Sequence, residues 1–115
     1  MLLKEGMLGG LPLLEVEGDL DRLSALQLQD ALLDHIDHGR RQVLLGMRGC
    51  SSIDSGGLAV IFGALHQVSG RGWLGLVAVT PQVRRVLDTV GLIQHERILM
   101  FEDEEDVLRS LAPRA

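Results

Sequence analysis

Among the residues of this chain that could do chemistry, the run Asp54-Ser55-Gly56-Gly57-Leu58 stands apart. A carboxylate precedes a small hydroxyl, two glycines follow, and apolar residues then recur at helical spacing (Leu58, Ile61, Phe62, Leu65, Val68). Asp or Ser at such a place predicts an N-cap, because either side-chain oxygen accepts a backbone N–H left free at a helix start. Capping does not account for the glycines, since Gly inside a helix costs up to about 1 kcal/mol relative to Ala. Paired at a first turn, they predict that something approaches the backbone closely there, or that the segment must stay mobile.

The other reactive residues form no constellation. Cys50 is the only cysteine, so neither an internal disulfide nor a multi-cysteine zinc site is available. It is predicted to be a small buried or half-buried side chain, and no histidine lies near it in sequence to make it a nucleophile. His35 and His38, flanked by Asp34 and Asp37, have a spacing that can touch a metal. They fall at the polar C-terminal end of a predicted helix, where imidazoles bond exposed carbonyls, so a solvated face is expected. His66 and His95 are isolated. Residues 70–75 read G-x-G-x-x-G, but that loop holds a dinucleotide only between a strand and a following helix, and here the order is reversed. There is no G-x-S-x-G, Walker A or H-E-x-x-H pattern. The expectation is a protein that is not an enzyme, with no cofactor, no metal and no small-molecule substrate.

The elements that must position the Asp54 loop follow from periodicity. Residues 11–18 alternate apolar and charged and predict a strand, which residues 1–8 can join as a hairpin through Gly9-Gly10. Residues 24–38 predict a helix, with Ser24 and Gln27 as a capping box, Ala25, Leu28, Leu32 and Ile36 on one face, and Leu26 and Leu33 beside them. Residues 43–47 are a short apolar run, hence a buried strand. The helix after Asp54 ends at residues 70–72, and residues 73–79 form another apolar strand. Thr80-Pro81 opens a third helix, with a cap and a proline that loses no hydrogen bond, and Val83, Val86, Leu87 and Val90 form its stripe. Residues 98–101 read as the last strand. Asp103 then caps a final helix that turns Val107, Leu108 and Leu111 inward, and the acids at its start suit the positive end of the helix dipole. The pattern predicts an α/β fold: a single domain over residues 1–115, with a four- or five-stranded mixed, largely parallel sheet and about four packed helices.

Composition agrees and removes some functions. The 115 residues are one domain's length, with 46% apolar and 23% charged residues, so a core forms without metals or disulfides. The net charge is −5, and aromatics are scarce. No basic stripe or stacking aromatic is present, which argues against nucleic acid as a partner. Five of the acids lie in residues 102–106, and the rest of the chain is neutral. No apolar run approaches the ~20 residues that span a bilayer, and charges interrupt the N-terminus, so no membrane contact and a cytoplasmic location are expected.

Four short motifs, in order, resemble the anti-sigma factor antagonists of the STAS domain family. Residues 53–58 are similar to its signature, an Asp-Ser-Ser/Thr-Gly-Leu segment at a helix start. Gly18-Asp19-Leu20-Asp21 resembles its Gly-Glu/Asp-Leu-Asp turn. Residues 80–87 resemble its (Ser/Thr)-Pro-x-Val-x-x-x-Leu helix, and Gly91-Leu92 the Gly-Leu that follows. The resemblance spans about residues 11–111. It implies a partner switch in which the unphosphorylated domain binds an anti-sigma factor serine kinase and frees a sigma factor. Phosphorylation by that kinase releases the domain, and a serine phosphatase resets it. Carried over, the phosphoacceptor is Ser55, and the partner-binding residues are Asp54, Ser55, Gly56, Gly57, Asp19 and Asp21. Ser51 and Ser52 are neighbouring alternative acceptors. Gly56 departs from the pattern, which has a second Ser or Thr there. The family also includes accessory subunits of lipid or anion transport complexes that work without phosphorylation, and this is the alternative function.

Overall fold

The computed structural model describes residues 2–68 and 72–111. Its order is β1 (Leu2–Leu8), β2 (Leu11–Glu17), α1 (Ala25–Asp37), β3 (Gln42–Gly49), α2 (Ser55–Gln67), β4 (Trp73–Val77), α3 (Pro81–Thr89), β5 (Ile98–Phe101) and α4 (Glu104–Leu111). Gly9 and Gly10, at φ +59° and +82°, make the two-residue turn that twists β1 back onto β2, pairing Leu8 with Leu11 and Leu2 with Glu17. All later pairings are parallel, and the strands lie in sequence order, β1-β2-β3-β4-β5. Because the order never reverses, the sheet has no switch point of the kind that opens a nucleotide crevice in doubly wound folds. Gly70 and Arg71 of the G-x-G-x-x-G run lie outside the described residues. From Gly72 on, the run leads into β4, not into a helix.

Strand alternation divides the core between two faces. Leu14, Val16, Val43, Leu45, Met47, Leu74, Leu76 and Ile98 meet α1, α2 and α3 on one face. Leu13, Leu44, Val77 and Phe101 meet Val107 of α4 on the other. Cys50 is fully buried in the larger cluster, as expected of a free cysteine. That burial pushes its thiol pKa up.

Several local expectations hold and others are corrected. Thr80 caps α3 through Val83 N–H at 3.4 Å with Pro81 following. Asp103 caps α4 through Asp106 N–H at 2.8 Å, and Asp106 reciprocates to Glu102 N–H at 2.9 Å. The predicted Ser24–Gln27 box does not form, since Ser24 has helical backbone and caps nothing downstream. The box sits three residues earlier. Asp21 Oδ1 accepts from Ser24 N–H at 2.8 Å, and Ser24 Oγ accepts from Asp21 N–H at 3.0 Å. Asp21 Oδ1 also accepts from Leu23 N–H at 3.1 Å, so the acceptor-only carboxylate caps the turn and Ser24 is the inner partner.

On α2 the buried residues are Gly57, Val60, Ile61, Ala64 and Leu65, while Phe62 is exposed. This helix is apolar on nearly every side, so its spacing admits more than one stripe. Leu26, Val90, Leu108 and Leu111 are also exposed, against expectation. For the two α4 leucines the reason is geometric: a lone helix on its face buries its central Val107 and leaves its flanks open. Of the two histidines at the end of α1, His38 is exposed as expected, whereas His35 is half-buried. His35 Nε2 lies 3.1 Å from Glu5 Oε1 on β1, and His38 Nδ1 lies 2.7 Å from the Asp34 carbonyl.

Candidate functional site

The site lies beyond the C-terminal ends of the parallel strands, where the loops after β2, β3 and β4 run side by side. The first two continue as a strand pair would. Gly18 N–H donates to Gly49 O at 2.9 Å, Leu20 N–H to Ser52 O at 3.0 Å, and Asp54 N–H to Leu20 O at 3.2 Å. Leu20 and Ile53 form a parallel bridge and bury their side chains beneath it. From the third loop, Thr80 Oγ1 donates to Cys50 O at 3.1 Å, which ties the start of α3 to the loop that carries Ser55. Ala78, with a left-handed φ of +57°, turns the chain out of β4 into that loop.

Asp54 is the fastening between the first two loops. Its Oδ1 accepts from Gly56 N–H at 2.9 Å and Gly57 N–H at 3.1 Å, which makes it the N-cap of α2. Its Oδ2 accepts from Arg22 N–H at 3.2 Å, thirty-two residues away. The whole carboxylate is therefore served by backbone donors, and it holds the turn at residues 18–22 against the first turn of α2.

This contact explains the paired glycines. A Cβ on Gly56 would stand 2.5 Å from Arg22 Cα and 2.9 Å from Arg22 Cβ. A Cβ on Gly57 would stand 2.8 Å from both Leu20 O and Ile53 Cγ1. Of the two readings of the paired glycines, close approach holds, and the neighbour is the chain's own turn. It also accounts for the departure at Gly56, because a Ser or Thr there has no room beside Arg22.

The predicted site residues divide accordingly. Ser55 is the first residue of α2 and is exposed, and no hydrogen bond among the described residues engages its hydroxyl. Gly56 is half-buried against Arg22, and Gly57 is buried. Asp19 is exposed and accepts from Ser51 Oγ at 3.0 Å. Asp21 is exposed but committed to the turn. The Ser24 backbone N–H, with the Ser24 hydroxyl and the Leu23 N–H, holds its carboxyl pKa below the usual 3.8. Ser51 and Ser52 are exposed beside this group. Two features were not named from sequence: Arg22, and Leu23, which is 81% exposed next to it. Arg22 is the only cation in residues 18–24, 50–57 and 78–80, so charge alone could have singled it out.

Among the described residues, no three of His, Cys, Asp and Glu are grouped so as to hold a metal, and no helix is long and apolar enough to cross a membrane. What the lip offers is a small hydroxyl on a helix start, backed by a rigid pair of loops and flanked by exposed Leu23 and Asp19. That arrangement suits docking of another surface.

The family profile described as "Mlab, STAS domain" matches residues 5–100. The chain belongs to the STAS domain family. Solved structures agree on the fold over nearly the whole chain. A Thermotoga maritima protein, TM1081, proposed as an anti-sigma factor antagonist, superposes with a TM-score of 0.84 at 21% identity, over 95% of this chain and 93% of that one. The Bacillus cell fate determinant SpoIIAA in its phosphorylated form gives 0.72 at 20% identity, over 95% and 99%. A sulfate transporter family protein from Wolinella succinogenes gives 0.70 at 24% identity, over 86% and 82%. At these identities the likeness establishes a STAS fold: one mixed, mostly parallel five-stranded sheet with four helices.

Proposed function

We propose that this STAS domain is an anti-sigma factor antagonist whose docking is switched by phosphorylation of Ser55. Unphosphorylated, the lip around Ser55 binds an anti-sigma factor that is also a serine kinase, and a sigma factor is freed. The kinase then phosphorylates Ser55 and the complex separates. A serine phosphatase restores the hydroxyl. The reading places this exchange in the cytoplasm, with protein partners and no catalytic residue on this chain.

The observation that carries the reading is the Ser55 hydroxyl, exposed and without a hydrogen-bond partner among the described residues, at a helix start fixed by the Asp54 fastening. A surface fitted to a neutral hydroxyl meets about −1.5 to −2 charges after phosphorylation. Losing about 3 kcal/mol of binding in this way weakens the complex more than a hundredfold. No refolding is required. That one structural relative, SpoIIAA, is known in a phosphorylated form supports the same reading.

The test is incubation with candidate anti-sigma kinases and ATP, followed by mass spectrometry and binding measurements. One phosphate on Ser55 is expected. Ser55→Ala should stay bound, and Ser55→Glu should bind about a hundredfold more weakly. Equal affinity of wild type and Ser55→Glu for a cognate kinase refutes the switch. The likeness to a sulfate transporter family protein favours a second reading, a docking subunit of a lipid or anion transport complex. Copurification with a transporter, with no phosphate on Ser55 in cells, would replace the first reading by this one.

A further inference from the structure

The region around Ser55 contains three carboxylates and one cation. The carboxylates are occupied by neutral donors. Asp54 takes the amides of Arg22, Gly56 and Gly57. Asp21 takes those of Leu23 and Ser24. Asp19 takes the Ser51 hydroxyl. Arg22 is exposed and, among the described residues, forms no ion pair. Its main chain does not wander, because its amide is held by Asp54 and its Cα and Cβ press on Gly56. The Cα that precedes Gly56, about 3.8 Å from the Gly56 Cα, is that of Ser55. The guanidinium stands on a stem of three carbons and a nitrogen and reaches farther than that step.

We propose that Arg22 is an intramolecular clamp for a phosphate on Ser55. This rests on the reading of Ser55 as a phosphoacceptor and adds the chain's own response to the modification. A phosphoserine beside Asp54 is repelled unless a cation offsets it. The planar guanidinium can donate two parallel N–H groups to phosphate oxygens, a geometry that an ammonium cannot supply. Closing the clamp takes away both the exposed hydroxyl and the exposed cation. Phosphorylation then alters the docking surface at two positions, although one residue is modified.

The clamp is tested without a kinase by placing phosphoserine at position 55 during translation. Wild type, Arg22→Ala and Arg22→Lys are each compared with and without the phosphate. Arg22→Ala keeps the amide, Cα and Cβ that touch Asp54 and Gly56, so the fold is retained. Phosphoserine is expected to raise the Tm of wild type by about 4 °C more than that of Arg22→Ala, with Arg22→Lys between them. The Arg22 Nε–H resonance should move downfield in phosphorylated wild type and stay fixed in the unmodified protein. Equal Tm changes in wild type and Arg22→Ala, with the Nε–H resonance unmoved, overturn the clamp and leave kinase action on Ser55 standing. Failure of the phosphoacceptor reading is seen separately, as no phosphate on Ser55 after incubation with kinases, and it removes the clamp's role as well.

Discussion

Adding one methyl group at Gly56 tests the close approach on which the site's geometry depends. The Cβ of Gly56→Ala would stand 2.5 Å from Arg22 Cα, whereas ordinary contact begins at 3.4 Å, a shortfall of about 0.9 Å. The atom it meets is main chain, so no side-chain rotation relieves the overlap. Either α2 or the turn at residues 18–22 must shift. Overpacking of this kind costs about 1–3 kcal/mol. The shift also strains the Arg22 N–H bond to Asp54 Oδ2, which at 3.2 Å has no slack, and a hydrogen bond to a charged group contributes about 1.5–3 kcal/mol when intact. Against this stands a gain of at most about 1 kcal/mol for replacing Gly by Ala in a helix.

The net expectation is a loss of about 2 kcal/mol, part of the bond being kept after adjustment. In urea, with a slope of about 1–3 kcal/mol per molar, the midpoint should fall by about 1 M. Gly63 provides the control on the same helix, since a Cβ there meets nothing within 4 Å. Gly63→Ala should therefore gain up to about 1 kcal/mol. If Gly56→Ala proved as stable as wild type, or gained as much as Gly63→Ala, the account of the paired glycines would be wrong.

Three further expectations follow from the same loops. Asp54→Ala removes the acceptor for three backbone donors and should cost about 2–3 kcal/mol in urea unfolding, with faster amide exchange at Arg22, Gly56 and Gly57. Asp21 has a native pKa lowered from 3.8, so below that value the unfolded chain binds the proton more readily than the native one. Its contribution is therefore present above 3.8 and is lost as pH falls through the lower native value. Asp21→Asn should lower stability at neutral pH, flatten the acid limb of stability against pH, and change little below the native pKa. Thr80→Val removes both the α3 cap and the bond to Cys50 O and should cost about 1–2 kcal/mol. Its signature is faster exchange in the loop after β3 as well as in α3.

Much of this protein was legible in its residues because it is encoded locally. Alternation and short apolar runs mark the strands, Gly9-Gly10 marks the hairpin, and Asp54, Thr80 and Asp103 each cap a helix within three residues of themselves. These signals lie within one turn of chain, so they survive without tertiary context. The same local rules failed where two local answers were available. Ser24 was as good a cap by type as Asp21, and the nearly all-apolar α2 gave no reason to expose Phe62.

The tertiary structure alone decided what faces Gly56. The paired glycines admitted a close neighbour or a mobile segment and carried no mark naming residues 20–22, because a contact across thirty-two positions leaves no period or spacing to read. The second oxygen of Asp54, the tie from Thr80 to Cys50, and the nearness of Arg22 to Ser55 belong to the same class. Each arises only when parallel strands align their ends and bring distant loops within hydrogen-bond reach.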